Sequence, residues 1–305
     1  MQSSTISLEE RALGAYIGLA IGDALGCTTE FLTPLEIQKA HGVHDRICGG
    51  GWLHLKAGQV TDDTEMSLAL GASIIERGVV EPDAVAESFS NWMRKKPVDI
   101  GHTVRRGIIH YRSTGQAFVP ENEYDAGNGA CMRSLPVALR YWNAPQERLL
   151  EASRAQSHTT HHNVMADAGT ETTLKMVIAS MQGQDINQLR NLVDALVEAY
   201  PVYRFDRRRV ENPSGYIVET LQVVWQAFFA HDNFESILVD VVNRGGDADT
   251  TGAIVGMLAG ACYGLAGIPS RWLEKLDKQV QHACTKQTEA LLSLAARGET
   301  YPHAD

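Results

Sequence analysis

The sequence predicts a single all-α domain, and three observations carry that prediction. Apolar residues recur at helical spacing along most of the chain, strand-like alternation is confined to one short stretch, and composition changes abruptly nowhere. With 305 residues, 44% of them apolar and 21% charged, the chain can bury the full core of a globular protein, so residues 1–305 are read as one domain.

The first helix announces its start. Ser7 followed by Glu10 is a capping box, in which the serine oxygen accepts a free amide and the glutamate reaches back. Gly14, Gly18, Gly22 and Gly26 then recur four residues apart, along one slowly rotating face, and Gly252, Gly256, Gly260 and Gly264 repeat the pattern. Glycine inside a helix costs roughly 1 kcal/mol relative to alanine. Two such stripes therefore predict two central helices whose backbones approach closely. A helix is expected over 66–75, and another over 83–96, where Val85, Phe89, Trp92 and Met93 share a face before Pro97 stops it. Further helices are expected near 134–142, 146–156, 164–181, 186–200, 216–230, 234–243 and 270–296. Residues 250–270 carry no charged side chain and could span a bilayer by length, but their glycines and polar groups favour a buried central helix. The alternation Trp52-Leu53-His54-Leu55 after Gly49-Gly50-Gly51 allows at most a small hairpin, and this glycine-rich segment is either a flap or a plain loop.

A formal net charge of -10, from 37 acidic against 27 basic residues, argues against a nucleic-acid partner, which requires a basic surface. Five widely spaced cysteines with no CxxC pair suggest neither a disulfide framework nor a zinc knuckle. The opening MQSSTISLEE lacks the basic and apolar runs of a secretory signal, so a reducing, cytoplasmic location is expected.

The chemistry concentrates in two acidic clusters. Thr61-Asp62-Asp63-Thr64 precedes one helix and Asp247-Ala248-Asp249-Thr250 precedes the second glycine-striped one. Alone, each could be a helix cap. Brought together, four carboxylates would repel and resist ionisation unless cations neutralised them, and two divalent ions balance four aspartates. Oxygen donors with no paired cysteine or HExxH motif suit hard ions, Mg2+ or Mn2+. Glu30, just past the first striped helix, could approach such metals, whereas Asp23, a lone acid in an apolar run, is better suited to tying down a loop by hydrogen bonds. His158, His161 and His162 invite a zinc reading that no cysteine or further spaced histidine supports. Arg204, Arg207, Arg208 and Arg209 form a basic loop, a solvated face or a dock for an acidic partner.

Four segments, GAYIGLAIGDALGCTTEF, GQVTDDTEMSLAL, GNGACMRSLPVAL and GGDADTTGAIVGMLAGACYG, resemble the motifs of the ADP-ribosylglycohydrolases in the family's order. PVDIGHTVRRG and SHTTHHN make the chain most similar to the dinitrogenase reductase-activating group, which removes ADP-ribose from a modified arginine. The resemblance implies a compact helical fold with a central two-metal cleft, and Thr61, Asp62, Asp63, Asp247, Asp249 and Thr250 as ligands. It places Asp99 at the scissile ribose, with Glu30 as the other proton-handling acid, and leaves open which is acid and which is base. Without the family, Asp99 could simply cap a helix starting near Gly101. Gly127, Asn128 and Gly129, by themselves a common turn, become a substrate loop; His158 is placed beside the diphosphate or distal ribose, and Tyr216 against the adenine rather than in the core. The implied substrate is an ADP-ribosylated protein, dinitrogenase reductase, and the implied regulator a PII-type signal protein that recruits the enzyme to a membrane it does not span. ADP-ribose on serine, poly-ADP-ribose, or a non-catalytic ADP-ribose-binding role are the alternatives; the complete set of six ligands disfavours the last.

Overall fold

The two glycine-striped helices lie against each other, antiparallel, at the centre of the molecule. The computed structural model describes residues 6–298, so the outermost five and seven residues of the domain reading lie outside it. In chain order the α-helices are α1 (Leu8–Gly26), α2 (Pro34–His41), α3 (Asp62–Arg77), α4 (Pro82–Arg94), α5 (His102–Thr114), α6 (Gly129–Met132), α7 (Leu135–Tyr141), α8 (Gln146–Ser157), α9 (Val164–Met181), α10 (Ile186–Ala199), α11 (Ile217–Ala230), α12 (Phe234–Val242), α13 (Ala248–Tyr263), α14 (Ser270–Lys275) and α15 (Lys278–Arg297). Among the described residues, extended pairing is limited to isolated bridges; one of them, Gly50 with Leu55, closes the small hairpin with amide-to-carbonyl distances of 2.8 and 2.9 Å.

The stripes work as the spacing implies. A Cβ at Gly22 would lie 1.9 Å from the Gly252 carbonyl oxygen, and one at Gly18 would lie 2.2 Å from that of Gly256. No side chain fits there, so the cost of glycine is offset by main-chain contact. Because α1 and α13 run antiparallel, the C-terminal end of α1 meets the N-terminal end of α13. Asp23 and Glu30 are thereby carried to Asp247 and Asp249. The rest of α13 is buried, and among the described residues no helix is long and apolar enough to cross a membrane.

Asp23 then docks the third helix. Its carboxylate accepts from the Thr61 and Thr64 amides at 3.0 and 3.1 Å and from their hydroxyls at 2.9 and 2.5 Å. Thr61 makes no side-chain cap of its own, so the start of α3 is capped by a residue of α1. That is the loop-tying role the sequence suggests for Asp23.

Two differences from the sequence reading have local causes. The long helix expected over 270–296 is divided, because Asp277 caps a new start by accepting from Gln279 and Val280 at 2.7 and 3.1 Å. Helix α2 is not among the expected helices, yet Thr33, Pro34 and Glu36 form a capping box with proline in the first turn. The helix itself is short and exposed, with one buried residue, Ile37, so it shows no apolar periodicity.

Candidate active site

The loop after α1 and the loop before α13 are pinned together. Phe31 donates its amide to the Gly246 carbonyl at 2.7 Å, and Gly246 donates to Leu32 at 3.1 Å. A Cβ at Gly245 would lie 1.9 Å from the Leu32 oxygen, and Gly245 has φ +70°, so this approach requires glycine. The pairing gathers Glu30, Asp247 and Asp249, each contributing an oxygen within 4.8 Å of the other two.

The TDDT cluster joins from the other side. Asp63 Oδ2 accepts from the Thr250 hydroxyl at 3.3 Å, a direct contact between the two clusters, and lies 3.3 Å from Thr61 Oγ1. The other Asp63 oxygen is buried with no hydrogen-bond partner among the described residues. Asp62 accepts from the Gly101 amide at 3.2 Å. Above these acids opens a cleft of about 610 Å³, walled by Glu30, Asp62, Asp99, Asp247, Asp249 and Thr250 among others; Thr61 and Asp63, both fully buried, lie beneath it.

The electrostatics are unfavourable as they stand. Burial first, then neighbouring acids, push Asp62 up to about 8 and Asp63 and Asp249 well above the carboxylate range. Burial likewise takes Glu30 to about 8, against the pull of the Trp52 indole N–H, which donates to its carboxylate at 2.6 Å. Asp247 and Asp99 are raised too, burial again leading. Among the described residues none of these six acids forms an ion pair with a cationic side chain, and the donors they find, among them Thr250, Gly101, Ile100, Trp52 and Asn128, are neutral. Clustered oxygens, an orphaned buried carboxylate oxygen and no protein cation fit a hard divalent ion.

The profile of the ADP-ribosylglycohydrolase family matches residues 4–302. The chain belongs to that family. It is similar to the ADP-ribosyl-[dinitrogen reductase] glycohydrolase of Rhodospirillum rubrum, at 46% identity over 95% of this chain and 98% of that protein. It also resembles the ADP-ribosylarginine hydrolase Tri1 of Serratia proteamaculans (strain 568), at 33% identity over 88% of this chain and 76% of that one. A solved structure described as an ADP-ribosylglycohydrolase-related protein complex superposes with a TM-score of 0.84 at 34% identity, covering 95% of this chain and 99% of its own.

For an ADP-ribosylglycohydrolase, the remaining expected residues divide. Asp99 lines the cleft and, among the described residues, accepts only from the Ile100 amide, at 2.8 Å; Gly101 is the residue that precedes α5, so Asp99 is not its cap. Asn128 donates to Asp247 at 2.5 Å and to Thr220 at 2.9 Å, holding a cluster carboxylate, while its amide is engaged by Gly215 at 3.0 Å. The anion-binding use of that amide is therefore closed. Tyr216 is 37% exposed, not a core aromatic, and its backbone is bridged to Gly127 beside the cleft.

His158 is not brought to the cleft. It bonds Asp167 at 2.8 Å, stacks on His162 at 3.8 Å, and faces a separate cavity of about 560 Å³ against α9 and α10. His161, from the same SHTTHHN segment, takes the cleft position. The turn after α8 sends these rings to opposite sides, which spacing alone does not reveal, and it also keeps them from forming a zinc site. In the basic loop, Arg209 is paired with Glu211 and Asp240 while Arg204, Arg207 and Arg208 are exposed.

Proposed function

We propose that this protein hydrolyses the N-glycosidic bond between ADP-ribose and an arginine of a target protein, dinitrogenase reductase, with two divalent cations, Mg2+ or Mn2+, held by Thr61, Asp62, Asp63, Asp247, Asp249 and Thr250. The observation that carries it is the convergence of both acidic clusters under one cleft, with the Asp63 oxygen left unpartnered, in a chain similar to two enzymes named for this bond class. When bound, such cations supply Lewis-acid stabilisation at ribose hydroxyl oxygens and at water.

The protein's own groups do the rest. Glu30 and Asp99 share the cleft wall with the ligands and handle protons: one takes a proton from the attacking water, the other delivers one to the departing guanidinium nitrogen. Water oxygen bonds to ribose C1, the C1–N bond breaks, and unmodified arginine and free ADP-ribose leave. Trp52 orients Glu30 through its indole N–H, and the Phe31 ring lies 5.4 Å from it, walling this side of the cleft with apolar surface. Tyr216, at the rim, is the ring available to an adenine.

The test is release of ADP-ribose from arginine-linked, serine-linked and polymeric substrates, with and without chelator. Metal-dependent release from arginine is expected; release from serine alone, or release unaffected by chelator, overturns the reading. The regulatory extension, a PII-type signal protein drawing this cytoplasmic enzyme to a membrane surface, is tested by co-sedimentation with that protein.

A further inference from the structure

Arg133 is fully buried, yet among the described residues no carboxylate forms an ion pair with it. Its guanidinium stacks over the Phe89 ring at 4.3 Å and donates from Nε to the Gln156 side chain at 2.9 Å. From Nη2 it donates to the Gln156 carbonyl at 3.0 Å and to Thr160 Oγ1 at 2.8 Å, with a longer approach to Thr159 at 3.4 Å. Thr160 Oγ1 in turn lies 2.8 Å from His161 Nδ1, and both residues are buried.

The donor inventory assigns the protons in this chain. A guanidinium only donates, so Thr160 Oγ1 accepts from it. The Thr160 hydroxyl hydrogen then needs an acceptor, and among the described residues the one within reach is His161 Nδ1. Were Nδ1 protonated instead, the hydroxyl hydrogen would be buried with nothing to bond, which is unfavourable. With Nδ1 accepting, the ring proton is on Nε2. That edge faces the Gly127–Gly129 loop: a Cβ at Gly127 would lie 3.0 Å from Nε2, and one at Gly129 would lie 3.1 Å from it. Side chains at either position would cover the edge, which the glycines leave open to the cleft.

We propose that Arg133 is a positioning residue which, through Thr160, fixes His161 as the Nε2–H tautomer, so that the cleft presents one permanently neutral donor to an acceptor oxygen of ADP-ribose. Burial, with the Arg133 and Arg106 charges, also lowers His161 to about 3, so the ring does not acquire a second proton at working pH. The inference rests on the proposed substrate for the identity of the acceptor, but the tautomer is a property of the protein alone.

Histidine-selective ¹⁵N NMR on the magnesium-loaded protein reads that tautomer. His161 is expected as Nε2–H from pH 5 to 8, with Nδ1 unprotonated; an Nδ1–H or imidazolium signal in the wild type overturns the proposal. Arg133→Met should make Nδ1 protonatable and raise the Kd for ADP-ribose about tenfold, the worth of one hydrogen bond. Arg133→Lys, which keeps a donor-only cation, should recover most of it. Unchanged Kd and unchanged His161 signals in a folded Arg133→Met protein would also overturn it; if that variant does not fold, the wild-type spectrum decides. Failure of the wild type to bind ADP-ribose at all would defeat the proposed function and leave the tautomer result standing.

Discussion

Asp240 and Asp247 lie seven residues apart, and both are half-buried acids, but the protein treats them in opposite ways. Burial pushes Asp240 up, yet Arg244 at 2.8 Å and Arg209 at 2.7 Å outweigh it and hold the carboxyl at about 2. At Asp247, Asp249, Asp62, Asp63 and Glu30 no side-chain cation among the described residues forms an ion pair, and burial prevails. Where a carboxylate holds the fold together, the counter-charge is built into the chain. Around the cleft it is left out, which is the arrangement expected if the counter-charge comes from solution.

The contrast is sharpest when one acid is removed from each region. Asp249→Ala should reduce kcat/KM on the order of 10³-fold by removing a metal ligand, while thermal unfolding of the metal-free protein should show no loss of stability, since a repulsion is relieved. Asp240→Asn should do the reverse. It leaves the Arg244 guanidinium, 2% exposed, without its charge partner and should cost roughly 3–5 kcal/mol in denaturant unfolding, with activity per folded molecule little changed.

The pH dependence of stability separates the regions by sign. Glu30 and Asp62 are raised to about 8 from ordinary values of 4.5 and 3.8, so their folded environment favours the protonated form. That contribution is complete below about pH 4 and is lost as pH rises through about 8. The metal-free protein should therefore become less stable from pH 5 to 8.5, and saturating magnesium should remove most of the slope. Asp240, lowered from 3.8 to about 2, contributes above pH 4 and its contribution is lost as pH falls through 2, metal or no metal. Thermal melts across pH, with and without magnesium, check both limbs.

Smaller effects are expected from the residues that only orient the cluster. Asn128→Ala frees the Asp247 carboxylate and should weaken metal affinity about 10-fold, measured by calorimetry. Trp52→Phe keeps the ring and removes the indole donor to Glu30, so a reduction of about tenfold in kcat with little change in KM is expected, the worth of one hydrogen bond to a charged group at its lower limit.

Much of this architecture was legible because it is encoded by spacing. Four-residue glycine repeats can hardly serve a helix except by close packing, and that packing places the DADT cluster beside the end of α1. Asp23 was legible as a loop tie because a lone acid in an apolar run needs donors. What spacing does not encode is the direction a turn gives its side chains. His158 and His161 differ by three residues in an irregular segment, and which one reaches the cleft depends on how that turn packs against α9. Arg133 offered no signal either, since its role lies in a buried hydrogen-bond chain assembled from α6 and the turn after α8. The Thr33–Glu36 cap of α2 was a readable signal, masked by a helix with little apolar face.

Bound divalent ions would supply the positive charge that the cleft lacks. Calorimetric titration of the metal-free protein with magnesium or manganese, in buffers of different ionisation enthalpy, tests it directly. Two ions per chain are expected, with net proton release on binding because the carboxyls are raised in their absence, and with loss of at least one ion in Asp63→Asn and in Asp249→Ala. Binding without proton release, or a stoichiometry unaltered by either substitution, would contradict it.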